Sequence, residues 1–217
     1  MHATRSNRDA TPPRFVQGSR LRFVESFLRD PLEVGSLWPS SSILARAVVD
    51  NCDIKPGDTV VELGPGTGAF TEMLSERLHN LGHLIAVEIS RTNIIELRRH
   101  FPDCEVIHGS AEHLPEHLGA RRANCIVSGL AWGTMRPTLQ DRIFNAVLAS
   151  LAEDGQFVAF GYAHASRFPT SLRFRKQLLA NFKRVERTRI VWRNLPPAFI
   201  YRCWREEQSN AQQNECR

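Results

Sequence analysis

Short apolar stretches alternate with longer amphipathic stretches along most of the chain. Short apolar runs are typical of buried strands, whereas apolar residues that recur every three to four positions indicate helices. The predicted strands are Thr59–Leu63, Leu84–Glu88, Glu105–His108, Cys125–Ser128 and Phe157–Gly161, and the predicted helices are Phe70–His79, Arg91–His100, Leu139–Leu151 and Leu172–Phe182. This βαβ repetition predicts an α/β fold with a mostly parallel sheet covered by helices on both faces.

Two further apolar stretches, Thr188–Trp192 and Phe199–Trp204, lie near the end of the chain. Only residues 193–198 separate them, and a link this short cannot return a strand in the parallel direction. The two are therefore predicted to pair antiparallel. The sequence thus predicts a seven-stranded sheet that is mostly parallel and has a terminal antiparallel hairpin.

The segments at the two ends of the chain follow different patterns. Residues 1–18 and 206–217 are polar and are predicted to be flexible tails. Residues 19–53 predict a basic amphipathic helix over Ser19–Asp30 and a second helix capped by the serines at 40–42. Residues 54–205 form the predicted α/β domain.

Composition adds limits to this picture. The chain has 217 residues, of which 42% are hydrophobic, so it is expected to form one domain with one substantial core. No apolar run is long enough to cross a bilayer, which predicts a cytoplasmic protein. The five cysteines are scattered and suggest neither a disulfide framework nor a zinc site; Cys104 and Cys125 are expected in the core. The net charge of +5 suits phosphate-bearing partners without naming one.

A glycine-rich turn follows the first predicted strand, at Gly64-Pro65-Gly66-Thr67-Gly68. Glycines let the backbone pass close beneath a ligand at the carboxyl end of a strand, where open α/β sheets bind their ligands. Glu88 ends the next strand, where it is placed to accept hydrogen bonds from ribose hydroxyls. A dinucleotide enzyme is the rival interpretation, but its turn reads G-x-G-x-x-G, unlike the evenly spaced glycines here.

The run E-L-G-P-G-T-G at 62–68 resembles motif I of the class I methyltransferases, which have a Rossmann-like fold and use S-adenosyl-L-methionine. The resemblance implies that Glu62 and the backbone of the glycine turn face the methionine part of the cofactor. It also implies that Glu88 faces the ribose, and that Ser110 and Ala111 face the adenine edge; many relatives have Asp in place of Ser110. The full predicted cofactor-binding set is Trp38, Glu62, Gly64, Pro65, Gly66, Gly68, Glu88, Ile89, Ser110, Ala111, Ser128 and Gly129.

Three further segments resemble the bacterial phospholipid N-methyltransferases: residues 27–41, Ser128-Gly129-Leu130-Ala131-Trp132, and residues 191–198. The resemblance spans about residues 20–205, although family members typically have proline where this chain has Ala131. It implies methylation of the amine of phosphatidylethanolamine or a similar amino-lipid, with peripheral contact to an anionic membrane.

Several alternatives remain open from the sequence. Ala131 leaves open a small-molecule N- or O-methyltransferase of a biosynthetic pathway. An rRNA adenine methyltransferase ranks third, because it should have Asn in place of Ser128 and an added helical domain; nucleic acid is therefore not expected as a partner. A non-catalytic cofactor-binding or lipid-binding module is the alternative from a different class.

Candidate catalytic residues follow the fourth and fifth strands. An amine that is protonated at neutral pH must lose its proton before it attacks a methyl group. Trp132 is a candidate wall or cation–π face, Tyr162 a hydrogen-bonding partner and His164 a base. Packing is the alternative role for Tyr162, and a surface loop position is the alternative for His164.

The arginines and the N-terminal helix each have two interpretations. A phosphate contact or a solvated basic face both fit the arginines at positions 167, 173, 175 and 193. The helix over residues 19–30 is predicted either to lie on an anionic membrane, with Phe23 and Phe27 inserted, or to cover the cofactor as a lid.

Two apparent motifs are set aside. Asn194-Leu195-Pro196-Pro197 is similar to the loop of adenine N6-methyltransferases, but that loop follows the fourth strand. His113 and His117 have the spacing of zinc ligands, but no third ligand is evident and methyl transfer requires no metal. An exposed helix is the preferred interpretation of the two histidines, and no metal site is expected.

Overall fold

The computed structural model describes residues 42–79 and 81–205. Trp38, the predicted helix over residues 19–30 and the two predicted tails lie outside the described residues. So does the start of the segment that was expected to cap the second helix.

One seven-stranded sheet organises the described part of the chain. Its strands are β1 Thr59–Leu63, β2 His83–Glu88, β3 Glu105–His108, β4 Ala123–Ser128, β5 Leu151–Tyr162, β6 Arg184–Arg187 and β7 Ala198–Trp204. Their order across the sheet is β3-β2-β1-β4-β5-β7-β6. The first five strands are parallel, and β7 is antiparallel to both β5 and β6. The α/β class and the mostly parallel sheet with an antiparallel end are therefore confirmed.

Helices cover both faces of this sheet. They are α1 Ser42–Val49, α2 Ala69–Leu78, α3 Arg91–His100, α4 Leu114–Leu118, α5 Pro137–Ser150 and α6 Pro169–Asn181, with a short 3₁₀ turn at Ala111–His113. Buried residues form one apolar cluster with α1, α2 and α3 and a second cluster with α4, α5 and α6. Val60 belongs to the first cluster and Val61 to the second, as the alternation of side chains along a strand requires.

The sixth strand differs from the prediction. It lies at Arg184–Arg187, whereas the predicted strand Thr188–Trp192 is a loop that contributes only an isolated bridge from Val191 to Ala198. The true strand is at the edge of the sheet and has exposed arginines at both ends, so it lacks the apolar run that was used to predict strands. The expected antiparallel pairing with the last strand is nevertheless present.

Several element boundaries also differ. Helices α5 and α6 begin at Pro137 and Pro169, earlier than predicted, because proline fits the first turn of a helix. Strand β5 begins at Leu151 rather than Phe157, because Leu151 already pairs with Ala123 of β4; residues 152–155, which include Glu153 and Asp154, form an irregularity before Gln156 pairs with Cys125.

Burial agrees with one simpler expectation. Cys104 and Cys125 are buried, as predicted. Within the described ranges, no helix is both long enough and apolar enough to cross a membrane.

Candidate active site

The glycine-rich turn joins β1 to α2 at the carboxyl edge of the parallel strands. Gly64, Gly66 and Gly68 have φ values of 68°, 56° and 87°, a region that residues with a Cβ rarely adopt. The Gly64 N–H donates to the Val87 carbonyl at 3.0 Å, and Gly68 is the residue that precedes α2. The three glycines therefore hold the backbone in a tight turn beside the end of β2.

Glu88 fixes this turn to the neighbouring strand. Its carboxylate accepts hydrogen bonds from the backbone N–H of Gly66 at 3.0 Å and of Ser90 at 2.8 Å, and from the Asn93 amide at 3.4 Å. Glu88 is buried, yet Ile89 directly after it is 70% exposed. The acid predicted to meet the ribose thus also positions the glycine turn, and a residue predicted to contact the cofactor lies open beside it.

Glu62 is fully buried at the end of β1. One carboxyl oxygen accepts a hydrogen bond from the Thr71 hydroxyl at 2.7 Å, while Oε1 has no partner among the described residues. Burial, with a smaller contribution from the charge of Glu88, raises the pKa of the Glu62 carboxyl to about 8. A positively charged group beside Glu62 would favour its ionised form.

The end of β4 lies against the start of the glycine turn. The Gly129 N–H donates to the Leu63 carbonyl at 2.8 Å. A Cβ on Gly129 would lie 2.6 Å from the Gly64 carbonyl oxygen, so only glycine fits without a shift of the backbone. The close approach keeps the turn and the β4 loop together.

Ser110 and Ala111 follow β3 at the same edge. The Gly109 N–H donates to the Glu88 carbonyl at 3.0 Å, which places this segment next to β2. The Ser110 hydroxyl caps the 3₁₀ turn, because it accepts from the Glu112 N–H at 3.3 Å and donates to the Glu112 carboxylate at 3.1 Å. Arg142 in turn pairs with Glu112. Adenine contacts by Ser110 and Ala111 stay a prediction.

S-adenosylmethionine fits this set of residues. The turn offers backbone groups at positive φ, and Glu62 offers a buried carboxyl oxygen that has no partner among the described residues. A cofactor that carries positive charge on sulfur and nitrogen matches a buried acid better than a neutral or anionic ligand would.

Trp132 occupies a different environment from the one expected. The side chain is 2% exposed, and its ring stacks on Phe174 with 4.3 Å between ring centroids. Its indole N–H donates to the Ser128 hydroxyl at 2.9 Å. The prediction that this ring forms a wall of the acceptor pocket is not supported, because the ring packs in the aromatic core; Trp132 instead holds the loop after β4.

Tyr162 and His164 lie together at the end of β5. Their rings stack with centroids 5.7 Å apart, and His164 is exposed whereas Tyr162 is half-buried. Burial raises the pKa of the Tyr162 hydroxyl to about 12, so the phenol stays protonated at neutral pH. Ala159 pairs with Ser128 in the sheet, which places Tyr162 three residues beyond the end of β4.

One predicted phosphate-binding arginine and the two histidines at zinc-ligand spacing differ in their surroundings. Arg173 donates two hydrogen bonds of 2.6 Å to Asp141, so it has an acidic partner already. His117 is half-buried rather than exposed, with Nε2 3.2 Å from the Ser110 carbonyl oxygen; His113 is exposed. Within the described ranges, no group of three or more His, Cys, Asp or Glu side chains is arranged to hold a metal ion.

Sequence reasoning missed the side chains that position the two acids. Thr71 holds Glu62, and Asn93 contacts Glu88. Thr71 and Asn93 lie in the first turns of α2 and α3, so the general rule that helix starts face the carboxyl edge was the available signal. Nothing local distinguishes them from other polar residues of those helices.

Comparisons with known proteins agree with this geometry. Residues 60–155 match the family described as "Methyltransferase domain". The ornithine lipid N-methyltransferase of Singulisphaera acidiphila is 30% identical over 192 residues, which cover 83% of this chain and 93% of that protein. The ribosomal RNA small subunit methyltransferase A of Aromatoleum aromaticum is 42% identical over 91 residues, which cover 42% of this chain and 29% of that relative.

Solved structures extend the agreement to the fold. The precorrin-6y C5,15-methyltransferase from Geobacter metallireducens superposes with a TM-score of 0.59 at 13% identity, over 75% of this chain and 87% of that one. With the glycine turn, the two buried acids and the sheet order in place, the chain belongs to the class I methyltransferases that use S-adenosylmethionine.

Proposed function

We propose that this methyltransferase transfers a methyl group to the amine of phosphatidylethanolamine or of a similar amino-lipid. The observation that carries the proposal is the chain-wide similarity to an ornithine lipid N-methyltransferase, which includes 93% of that protein. Both lipids present a primary amine near an anionic group.

The cofactor is proposed to bind along the carboxyl edge from β1 to β4. Backbone groups of the glycine turn and Glu62 face its methionine part, Glu88 and Ile89 its ribose, and residues 110–111 its adenine. Ser128 and Gly129 form the floor between β1 and β4. When bound, S-adenosylmethionine supplies a methyl group on a positively charged sulfur.

The acceptor amine is proposed to approach from the end of β5. A protonated amine has no free electron pair, so it must lose a proton before the new N–C bond forms and the S–C bond breaks. His164 is the proposed base, because its imidazole is exposed and is held against Tyr162. Tyr162 stays protonated and is therefore proposed to orient the amine by a hydrogen bond rather than to remove its proton.

A ribosomal RNA acceptor is less well supported. The similarity to the small subunit methyltransferase covers only 29% of that relative. Ser128 also stands where an adenine methyltransferase is expected to have Asn. Its hydroxyl is buried and accepts hydrogen bonds from the Trp132 indole and the Leu130 N–H.

Incubation with labelled S-adenosylmethionine tests the proposal. Vesicles that contain phosphatidylethanolamine, vesicles that contain ornithine lipid, free ethanolamine, free ornithine and 16S rRNA are offered as separate acceptors. We expect label in at least one amino-lipid. Label found only in a soluble amine would support a small-molecule methyltransferase, and label only in RNA would support the third alternative; either result would overturn the proposal.

The roles of the two aromatic residues are tested with variants. His164→Gln should lower kcat by about 10- to 100-fold at neutral pH and regain activity at higher pH, as expected when a general base is lost. His83→Gln, an exposed histidine at the start of β2, is the matched control and should be unaffected. Tyr162→Phe keeps the ring and should mainly raise KM. A pH profile of His164→Gln parallel to that of the unmodified enzyme would exclude the proposed base.

A further inference from the structure

The loop over residues 188–197, which joins β6 to β7, lies at the carboxyl edge of the parallel strands. Strand β7 is antiparallel to β5, and its first residue Ala198 pairs with Tyr162, the last residue of β5. The Ala163 N–H also donates to the Pro197 carbonyl at 2.8 Å. We call residues 188–197 the edge loop; it borders the proposed acceptor site.

Hydrogen bonds hold the edge loop in one shape. The Thr188 N–H donates to the Ile200 carbonyl at 2.9 Å, and the Val191 N–H donates to the Ala198 carbonyl at 2.7 Å. Asn194 is buried inside the loop and donates to the Pro196 carbonyl at 2.6 Å. The exposed side chains of the edge loop therefore project from a backbone that hydrogen bonds hold in place.

Two large apolar side chains project from this turn. Trp192 is 73% exposed and Leu195 is 74% exposed, the highest values among the exposed large hydrophobic residues of the described ranges. Phe168 and Leu172, also exposed, lie where α6 begins, and the Phe168 ring is 6.5 Å from that of His164. Exposed apolar side chains grouped at one edge mark a binding surface rather than chance exposure.

The charged residues of the edge loop and of the segment that follows β5 have a single sign. Residues 163–175 and the edge loop together include no acidic residue. Arg167, Arg189 and Arg193 are exposed, and none of them forms a salt bridge with a residue that the structure describes. Tryptophan prefers the interface between water and lipid, and arginines beside it attract anionic headgroups.

We propose that the edge loop inserts into the surface of an anionic bilayer. Trp192 and Leu195 enter the interface between headgroups and acyl chains, while the three unpaired arginines contact lipid phosphates. This inference rests on the proposed function, because an amino-lipid acceptor has to be reached at the bilayer surface. A docked bilayer would then present headgroups beside Tyr162 and His164. A nucleic acid is disfavoured as the occupant, since Trp192 is the one aromatic residue of the edge loop on which a base can stack and Leu195, the other exposed apolar side chain, is aliphatic.

Vesicle sedimentation of the full chain tests the proposal. The vesicles contain phosphatidylglycerol in phosphatidylcholine, neither of which has a primary amine, so binding is measured apart from methylation. We expect the Trp192→Ser, Leu195→Ser double variant to lose roughly tenfold or more in partition coefficient. The matched control is Leu81→Ser with Ile95→Ser, two exposed apolar residues outside the carboxyl edge, and it should bind within about twofold of the unmodified protein.

Insertion is measured directly by fluorescence. Lipids brominated along the acyl chain should quench part of the tryptophan emission, and Trp192→Phe should remove that quenched part while preserving vesicle binding. Thermal unfolding and S-adenosylmethionine titration establish that each variant is folded. Equal sedimentation of the edge-loop variant and the unmodified protein would overturn the proposal, as would quenching that persists in Trp192→Phe. The proposal would also be overturned if the edge-loop variant lost binding to RNA while its binding to vesicles was unchanged.

The two proposals fail in different ways. If amino-lipids are methylated but vesicle binding does not depend on Trp192 and Leu195, the edge-loop proposal is wrong and the proposed function stands. If vesicle binding depends on the loop but no amino-lipid accepts a methyl group, the proposed function is wrong and the membrane contact stands.

Discussion

Glu62 is expected to make the stability of the folded protein depend on pH. Full burial raises the pKa of its carboxyl from 4.5 to about 8 in the folded protein. In the unfolded chain the carboxyl is solvated and returns to the ordinary value. Between these two pKa values the folded protein therefore holds one more proton than the unfolded chain.

The sign and size of the effect follow from this difference. Because the folded state binds more protons, the free energy of unfolding falls as the pH rises. The contribution of Glu62 is fully present below about pH 4.5 and is lost as the pH rises through about 8. One proton corresponds to about 1.4 kcal/mol per pH unit, so the loss between pH 5 and pH 7 is roughly 2 to 3 kcal/mol.

Urea denaturation of the cofactor-free protein at pH 5, 6 and 7 measures this effect. Glu62→Gln resembles the protonated acid, and its amide oxygen can still accept the Thr71 hydroxyl, so the variant should lack this part of the pH dependence. Groups that titrate in both proteins cancel in the difference. Glu72→Gln, at an exposed position in the first turn of α2, is the control and should parallel the unmodified protein. Parallel curves for Glu62→Gln and the unmodified protein would show that Glu62 is ionised when folded.

Three further outcomes are expected at the cofactor edge. Glu88→Ala should weaken S-adenosylmethionine binding by roughly 1.5 to 3 kcal/mol, whereas Glu72→Ala should leave the dissociation constant unchanged in the same titration. Gly129→Ala should lower the free energy of unfolding by about 1 to 3 kcal/mol, because its Cβ would press on the Gly64 carbonyl oxygen; urea denaturation checks this. Cofactor binding at pH 7 should release a proton from Glu62, seen by calorimetry in two buffers of different ionisation enthalpy, and Glu62→Gln should abolish the release.

The glycine turn at the carboxyl edge was predictable from sequence because its geometry is encoded locally. Three glycines within five residues allow the positive φ values of the turn. The strand before them places the turn at the carboxyl edge of the sheet. Glu88 ends the neighbouring strand, and adjacent parallel strands end at the same edge, so its approach to Gly66 follows from the order of elements. The hydrogen bond from Thr71 to Glu62 depends on the packing of α2 and was not predictable in this way.

The environment of Trp132 could not be predicted from the neighbouring sequence. An aromatic residue just after a ligand-binding loop can face either the ligand or the core. Its ring is held by Phe174, from a helix that begins after β5, so the outcome depended on a contact between distant parts of the chain. The edge strand Arg184–Arg187 was missed for a related reason: one face of an edge strand tolerates charge, which removes the apolar run that marks an inner strand.

The proposed acceptor site lies outside the part of the chain that matches the methyltransferase family. The match to the methyltransferase family ends at residue 155, before Tyr162, His164 and the edge loop. The glycine turn, Glu62 and Glu88 lie inside that match. Under the proposed function, the choice of acceptor depends on residues outside the match. Substitutions after residue 155 should thus alter acceptor choice while cofactor affinity is retained. Substitutions in the glycine turn should weaken cofactor affinity while acceptor choice is retained.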